Sequence, residues 1–232
     1  MHNFIKEIKN NESKPFVVKN FLNKQEIQLF QKLYIDLPIE INNTRQRIIK
    51  KKWSIKYNLE LQEIYKKKLQ SVIGEFEMDN PKTKDGLKSL GLYQESFLPV
   101  NVHVDTGFNF EKKLYKQTLL PLSNHGDTII FKNRFYGCST TFTINPIELE
   151  ASGYNKRSSE HLKLYGGKDF DKKIYKNYLS HEEIDNLKGL EIDLIYHWEL
   201  GDLLVFDRTS LHCSSDNIKG KKLGFTTSTA KL

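Results

Sequence analysis

Four of the seven histidines stand two residues before an acid: His103 with Asp105, His125 with Asp127, His181 with Glu183, and His197 with Glu199. On a strand that spacing sets imidazole and carboxylate on one face, and together they suit a divalent transition metal. Acids fill 29 of 232 positions, so roughly one such pair is expected by chance and the surroundings must decide. In Asn101-Val102-His103-Val104-Asp105, alternation puts Asn101, His103 and Asp105 on one face and Val100, Val102 and Val104 on the other. A polar face backed by valines is poor core material and a rigid mount for two ligands. His125-Gly126-Asp127 reads instead as a turn. His181 and Glu183 fall in a capping box, Ser180-His181-Glu182-Glu183, and His197 and Glu199 flank Trp198 as packing and surface before a Gly201-Asp202 turn. The candidate third ligand is His212, which follows an apolar strand over 203–206 and a second turn. Ten residues later Lys222 opens a strand in which Lys222, Gly224, Thr226 and Ser228 share one face and Leu223, Phe225 and Thr227 the other.

The elements that must hold these residues divide the chain. The first ninety residues read as helix-rich, with a short strand at 15–18 and a helix over 24–36 capped by Asn23. A second helix is expected around 60–77, where Leu61, Ile64, Tyr65, Leu69, Val72, Ile73 and Phe76 recur at helical spacing. From about residue 90 the pattern turns to strands, at 91–105, 115–121, 127–132, 138–144, 191–199, 203–206 and 222–229. A polar stretch over about 145–190 reads as an insertion, a lid or recognition segment, with the capped helix at its end. Helices first and short strands afterwards predict an α+β chain, one domain over 1–232, its barrel or sandwich carrying the helices outside.

Composition narrows the partners. Only five of the 36 basic residues are Arg, and the lysines lie in scattered clusters, which argues against nucleic acid and for a solvated surface despite the net charge of +7. The N-terminus has no apolar core of a secretory signal and no run is long enough for a membrane span, so the cytoplasm is the expected compartment. Two cysteines cannot build a disulfide framework. Oligomeric state is not encoded in any visible pattern.

The ordered set His103-x-Asp105, a distal His212 and a basic residue ten further on resembles the Fe(II)/2-oxoglutarate-dependent oxygenase superfamily, of the phytanoyl-CoA and prolyl hydroxylase kind. The phrase from Trp198 to His212 is also similar to that superfamily's last turn before its distal histidine. The resemblance covers about residues 90–230 and implies a double-stranded β-helix, the jelly-roll or cupin-like barrel. It implies His103, Asp105 and His212 as iron ligands and Lys222 as the cation for the far carboxylate of 2-oxoglutarate, with O2 as co-reactant. Lys221 competes, although parity sets it with Leu223. The implied reaction hydroxylates or otherwise oxidises a C–H bond of a small-molecule or peptide substrate, releasing succinate and CO2. A non-redox jelly-roll protein or isomerase using the same triad is the alternative. Two residues past Lys222 stands Gly224, where many relatives carry a hydroxyl residue. Arg208 either reaches a substrate carboxylate or caps a turn.

Overall fold

The computed structural model describes residues 2–45, 47–107, 113–138, 140–142 and 167–232. Along the chain run α1 (His2–Asn10), β1 (Phe16–Val18), α2 (Lys24–Asp36), β2 (Ile41–Asn43), β3 (Ile48–Ser54), α3 (Leu59–Ile73), β4 (Glu77–Met78) and β5 (Ser89–Ser96). Then come β6 (His103–Val104), β7 (Leu114–Pro121), β8 (Asp127–Arg134), β9 (Thr140–Thr141), α4 (Lys172–Tyr178) and a 3-10 turn (Ile184–Leu187). The chain closes with β10 (Ile192–His197), β11 (Leu203–Asp207), β12 (Ser210–Ser214) and β13 (Lys222–Ala230). The mix of helices and antiparallel strands is the α+β class expected. Among the described residues no helix is long and apolar enough to cross a membrane.

The strands form two antiparallel sheets. One has the order β1-β11-β7-β13-β5-β3-β2, with β4 added beside β13; the other runs β10-β8-β12-β6-β9. Helices α2 and α3 cover the outer face of the larger sheet. Asn23 starts α2 through a reciprocal capping box with Glu26, and α3 stops at Gly74, whose φ of +75° ends the helical ladder. Their apolar faces bring Phe30 and Tyr65 onto Trp53, Tyr93 and Phe225 of the sheet, with Tyr93 and Phe225 4.7 Å apart centroid to centroid. Each such buried ring contributes about 1.5–3 kcal/mol. Gly91 makes this packing possible, because a Cβ there would lie 2.3 Å from a Phe225 ring carbon and 2.5 Å from the Thr226 carbonyl.

A second apolar cluster backs the smaller sheet, combining Val102, Val104, Ile129, Phe131, Leu211 and Cys213 with Phe170, Leu179, Leu187 and Leu190. A third lies between the sheets and includes Leu119, Ile130, Tyr196, Trp198, Leu204 and Phe206. The site lies beside this inter-sheet layer.

Several expectations change. The stretch 91–105 is two strands, β5 and β6, separated by residues outside the ladder, although the burial of Val102 and Val104 keeps the alternation that matters. The N-terminal third supplies β2 and β3 to the larger sheet as well as helices, and β2 to β4, α1 and α4 were not foreseen. The residues Ser180–Glu183 form no capping box: the 3-10 turn has Glu183 as N-cap without a side-chain bond, the Ser180 hydroxyl goes to Asp216, and Glu182 accepts from the Val102 amide. Of the 145–190 insertion, 167–190 helps form the second core; the rest, with the end of the 138–144 strand, lies outside the described residues.

Candidate metal centre

His212 and His103 are directly paired across β12 and β6, so one register position fixes both rings, whose centroids lie 4.1 Å apart. Asp105 follows just beyond β6. Its Oδ2 is 3.7 Å from His103 Nε2 and 3.5 Å from His212 Nε2. One ligand atom from each of the three lies within 4.8 Å of the others, and this is the one such metal-capable group among the described residues. The structure thus brings the three sequence candidates together, and His212, read as following a turn, sits in a short strand. The signal for that strand was broken by the polar residues around Leu211 and Cys213.

The surroundings prepare these side chains as ligands. His103 Nδ1 faces the Asn101 carbonyl at 2.7 Å and His212 Nδ1 the Ser210 carbonyl at 3.1 Å. A proton held at each Nδ1 leaves both Nε2 lone pairs aimed at Asp105. Burial pushes the His103 imidazole down, but the Asp105 carboxylate and the Asn101 carbonyl outweigh it and leave the group raised. Burial and the neighbouring His103 lower His212, against the pull of Asp105. Burial raises Asp105, yet the two imidazoles overcome it and hold the carboxyl well below the usual range. Asp105 thus stays a carboxylate although it is set among buried groups, and 42% of its side chain remains accessible.

Gln117 on β7 orients that carboxylate, donating from Nε2 to Asp105 Oδ2 at 2.7 Å, while its own Oε1 is buried without a hydrogen bond. Arg208 donates to the Asp105 carbonyl at 3.2 Å, to Asp79 at 2.6 Å and to the Thr229 carbonyl. This arginine, 2% exposed, is engaged by the Asp79 carboxylate and two backbone carbonyls. Neither residue was singled out for this role from sequence; Gln117 could have been found as the polar interruption in the run Leu114–Pro121. Two imidazoles and one carboxylate, with spare lone pairs and an orphaned amide oxygen beside them, fit a six-coordinate transition metal with open positions.

Lys222, 3% exposed, points between the sheets. Its ammonium donates to the Asp127 carbonyl at 2.8 Å and lies 4.2 Å from the Trp198 ring centre. Gly126 makes room for it, since a Cβ there would meet Lys222 Cδ and Cε at 2.9 Å. Burial drives its pKa down to about 7, against the opposing pull of Asp127. Lys221 points the other way, to Glu95 at 3.3 Å, with half its side chain exposed. The two lysines thus lie on opposite faces, Lys222 inward and Lys221 outward. His181 is half-buried, its two ring nitrogens covered; burial takes it to about 4 against the pull of Asp216, and the Lys222 charge adds to the lowering. His125 stays in its turn. His197 and Asp127 instead form a contact of 2.6 Å, with Ser215 and Asn217 completing the carboxylate.

The chain matches no model of a known protein family and no curated protein. Among solved structures it resembles the epimerase SnoN in complex with Fe3+, alpha ketoglutarate and nogalamycin RO, with a TM-score of 0.53 at 7% identity over 99% of this chain and 84% of that one. A second structure of SnoN, the non-heme alpha ketoglutarate dependent epimerase from nogalamycin biosynthesis, gives 0.51 at 8% identity over the same shares. HygX from Streptomyces hygroscopicus, with nickel and 2-oxoglutarate bound, gives 0.49 at 9% identity over 100% and 87%. At these identities the likeness is one of fold, and the chain shares the fold of the SnoN epimerase.

Proposed function

We propose that this chain is an Fe(II)- and 2-oxoglutarate-dependent dioxygenase on a double-stranded β-helix, hydroxylating a C–H bond of a small-molecule or peptide substrate with release of succinate and CO2. The observation that carries the reading is the convergence of His103, Asp105 and His212 on one point, with a buried Lys222 ammonium facing the same inter-sheet space. His103 and His212 would hold the metal through Nε2, and Asp105 through one carboxylate oxygen. Iron and 2-oxoglutarate, when bound, supply the oxidation of the C–H bond by O2. Lys222 would take the cosubstrate's far carboxylate, which returns a counter-charge to an ammonium that burial now penalises. Trp198, packed with Leu119 and Ile130, lies against the Lys222 ammonium as apolar surface. Gln117 holds Asp105 in one orientation and leaves its Oε1 acceptor free for water or ligand.

The likeness to SnoN, an epimerase, favours as second reading an outcome in which no oxygen enters the product. The test is turnover of 2-oxoglutarate to succinate with Fe(II) and O2. Lys222→Ala should raise the KM for 2-oxoglutarate by at least about 100-fold, in keeping with loss of a buried charge-assisted partner, while Lys221→Ala should leave it unchanged. Equal KM values for Lys222→Ala and the native protein would remove Lys222 from the cosubstrate site. A product one oxygen atom heavier than its substrate supports hydroxylation, and one of equal mass supports epimerisation.

A further inference from the structure

The larger sheet turns a second lysine toward the candidate metal centre. On β3, Lys51 and Trp53 face the helices: Lys51 donates to the Tyr34 carbonyl at 2.7 Å, and Trp53 packs on Phe30. Strand alternation therefore sends Lys50 and Lys52 to the opposite, inner face. Lys50 is half-buried there, and the Asp105 carboxylate and the Lys52 ammonium are the charges that act on it; its own charge in turn lowers the His103 imidazole.

The cations around it are matched. Lys52 donates to the Lys82 carbonyl and lies 3.6 Å from Glu40, Arg208 has Asp79, and Lys222 has the Asp127 carbonyl. The Lys50 side chain has no hydrogen bond and no ion pair among the described residues, although its backbone is paired with β2 and β5. Its cross-strand neighbour Gln94, also on the inner face, likewise makes no side-chain hydrogen bond among them. A half-buried ammonium without a counter-charge, beside an amide with two free donors, is a costly arrangement that an anion relieves. Asp105 accepts from Gln117 and makes no ion pair with Lys50 among the described residues.

We propose that Lys50, assisted by Gln94, binds an anionic group of the substrate, a carboxylate or a phosphate, and thereby sets which carbon faces the metal. This rests on the dioxygenase reading for the word substrate, but the anion site itself does not. It narrows the small-molecule or peptide class to acids.

The test is trace acetylation of the native protein with acetic anhydride, read lysine by lysine by peptide mass spectrometry. It is run with inorganic phosphate, with benzoate, and with 2-oxoglutarate, on the metal-free protein and on the protein offered Mn(II) and 2-oxoglutarate. Phosphate or benzoate is expected to slow labelling of Lys50 at least threefold and to leave exposed Lys56 unchanged; which anion protects identifies the group. Protection that persists where Mn(II) and 2-oxoglutarate fail to bind keeps the anion site and removes only the cofactor reading. Equal labelling of Lys50 with and without both anions overturns the proposal. Protection of Lys50 by 2-oxoglutarate alone also overturns it, because Lys50 would then be the cosubstrate's anchor.

Discussion

Two buried clusters of charge lie on strands of this fold, and they are built on opposite plans. Around Asp207, every valence is taken: Lys116 reaches Oδ1 at 2.5 Å, and Arg134 and the Ser13 amide reach Oδ2, each at 2.8 Å. Lys116 also donates to the Asn11 carbonyl and the Ser13 hydroxyl, and Arg134 to Thr209 and Ser210. The result fastens the segment after α1 to β7, β8 and β11. Around Asp105 valences are left over: Gln117 Oε1 is buried without a partner, and the His103 and His212 Nε2 atoms stand 3.7 and 3.5 Å from the carboxylate. A satisfied cluster holds structure, and an unsatisfied one of matched ligand types is built to hold something else.

The sharpest way to break that contrast is to remove the carboxylate from each cluster. Asp207→Ala strands Lys116 and Arg134 and should cost about 3–5 kcal/mol in urea unfolding. Asp105→Asn should shift stability by less than about 1 kcal/mol, because its partners are the two imidazoles and part of it is open to solvent, but should weaken Mn(II) binding by more than about 100-fold. Similar stability losses at both positions would mean that the clusters do not differ in kind.

Lys222 gives a smaller, pH-dependent difference. An unfolded lysine keeps its proton to about 10.5, whereas burial lets this one lose it near 7. The unfolded state therefore binds more protons between those values, so stability should climb as pH rises from 7 toward 10, and the burial penalty should be fully present below 7. Asp127, Cys213 and His181 act on the same group from β8, β12 and the segment after α4. Lys222→Met should flatten the climb, measured as the difference between the two unfolding profiles. Parallel profiles would mean that the ammonium is not penalised by burial.

The site was legible in sequence to the extent that its residues are local. Asp105 stands two residues past His103, just beyond β6, and Lys222 is separated from Lys221 by parity, so local alternation suffices to single them out. The positions of Gln117 and Lys50 come from pairing distant in sequence: Gln117 meets Asp105 only because β7 lies opposite the smaller sheet, and Lys50 reaches the inner face only because β3 joins the larger sheet beside β5. Nothing in the helix-rich reading of the first ninety residues suggests that edge. The capping box at 180–183 failed for a related reason, since Asp216 and Val102, far along the chain, compete for Ser180 and Glu182. The α2 helix, whose cap is local, has the bounds its sequence predicts.

The most direct test is anaerobic addition of Fe(II) and 2-oxoglutarate to the purified protein, followed by visible absorption, with His212→Ala alongside. The expected result is a metal-to-ligand charge-transfer band in the native protein that is absent from the variant. A colourless native protein, or a band of equal strength in His212→Ala, would contradict the assignment of His103, Asp105 and His212 as the centre that holds iron with its cosubstrate.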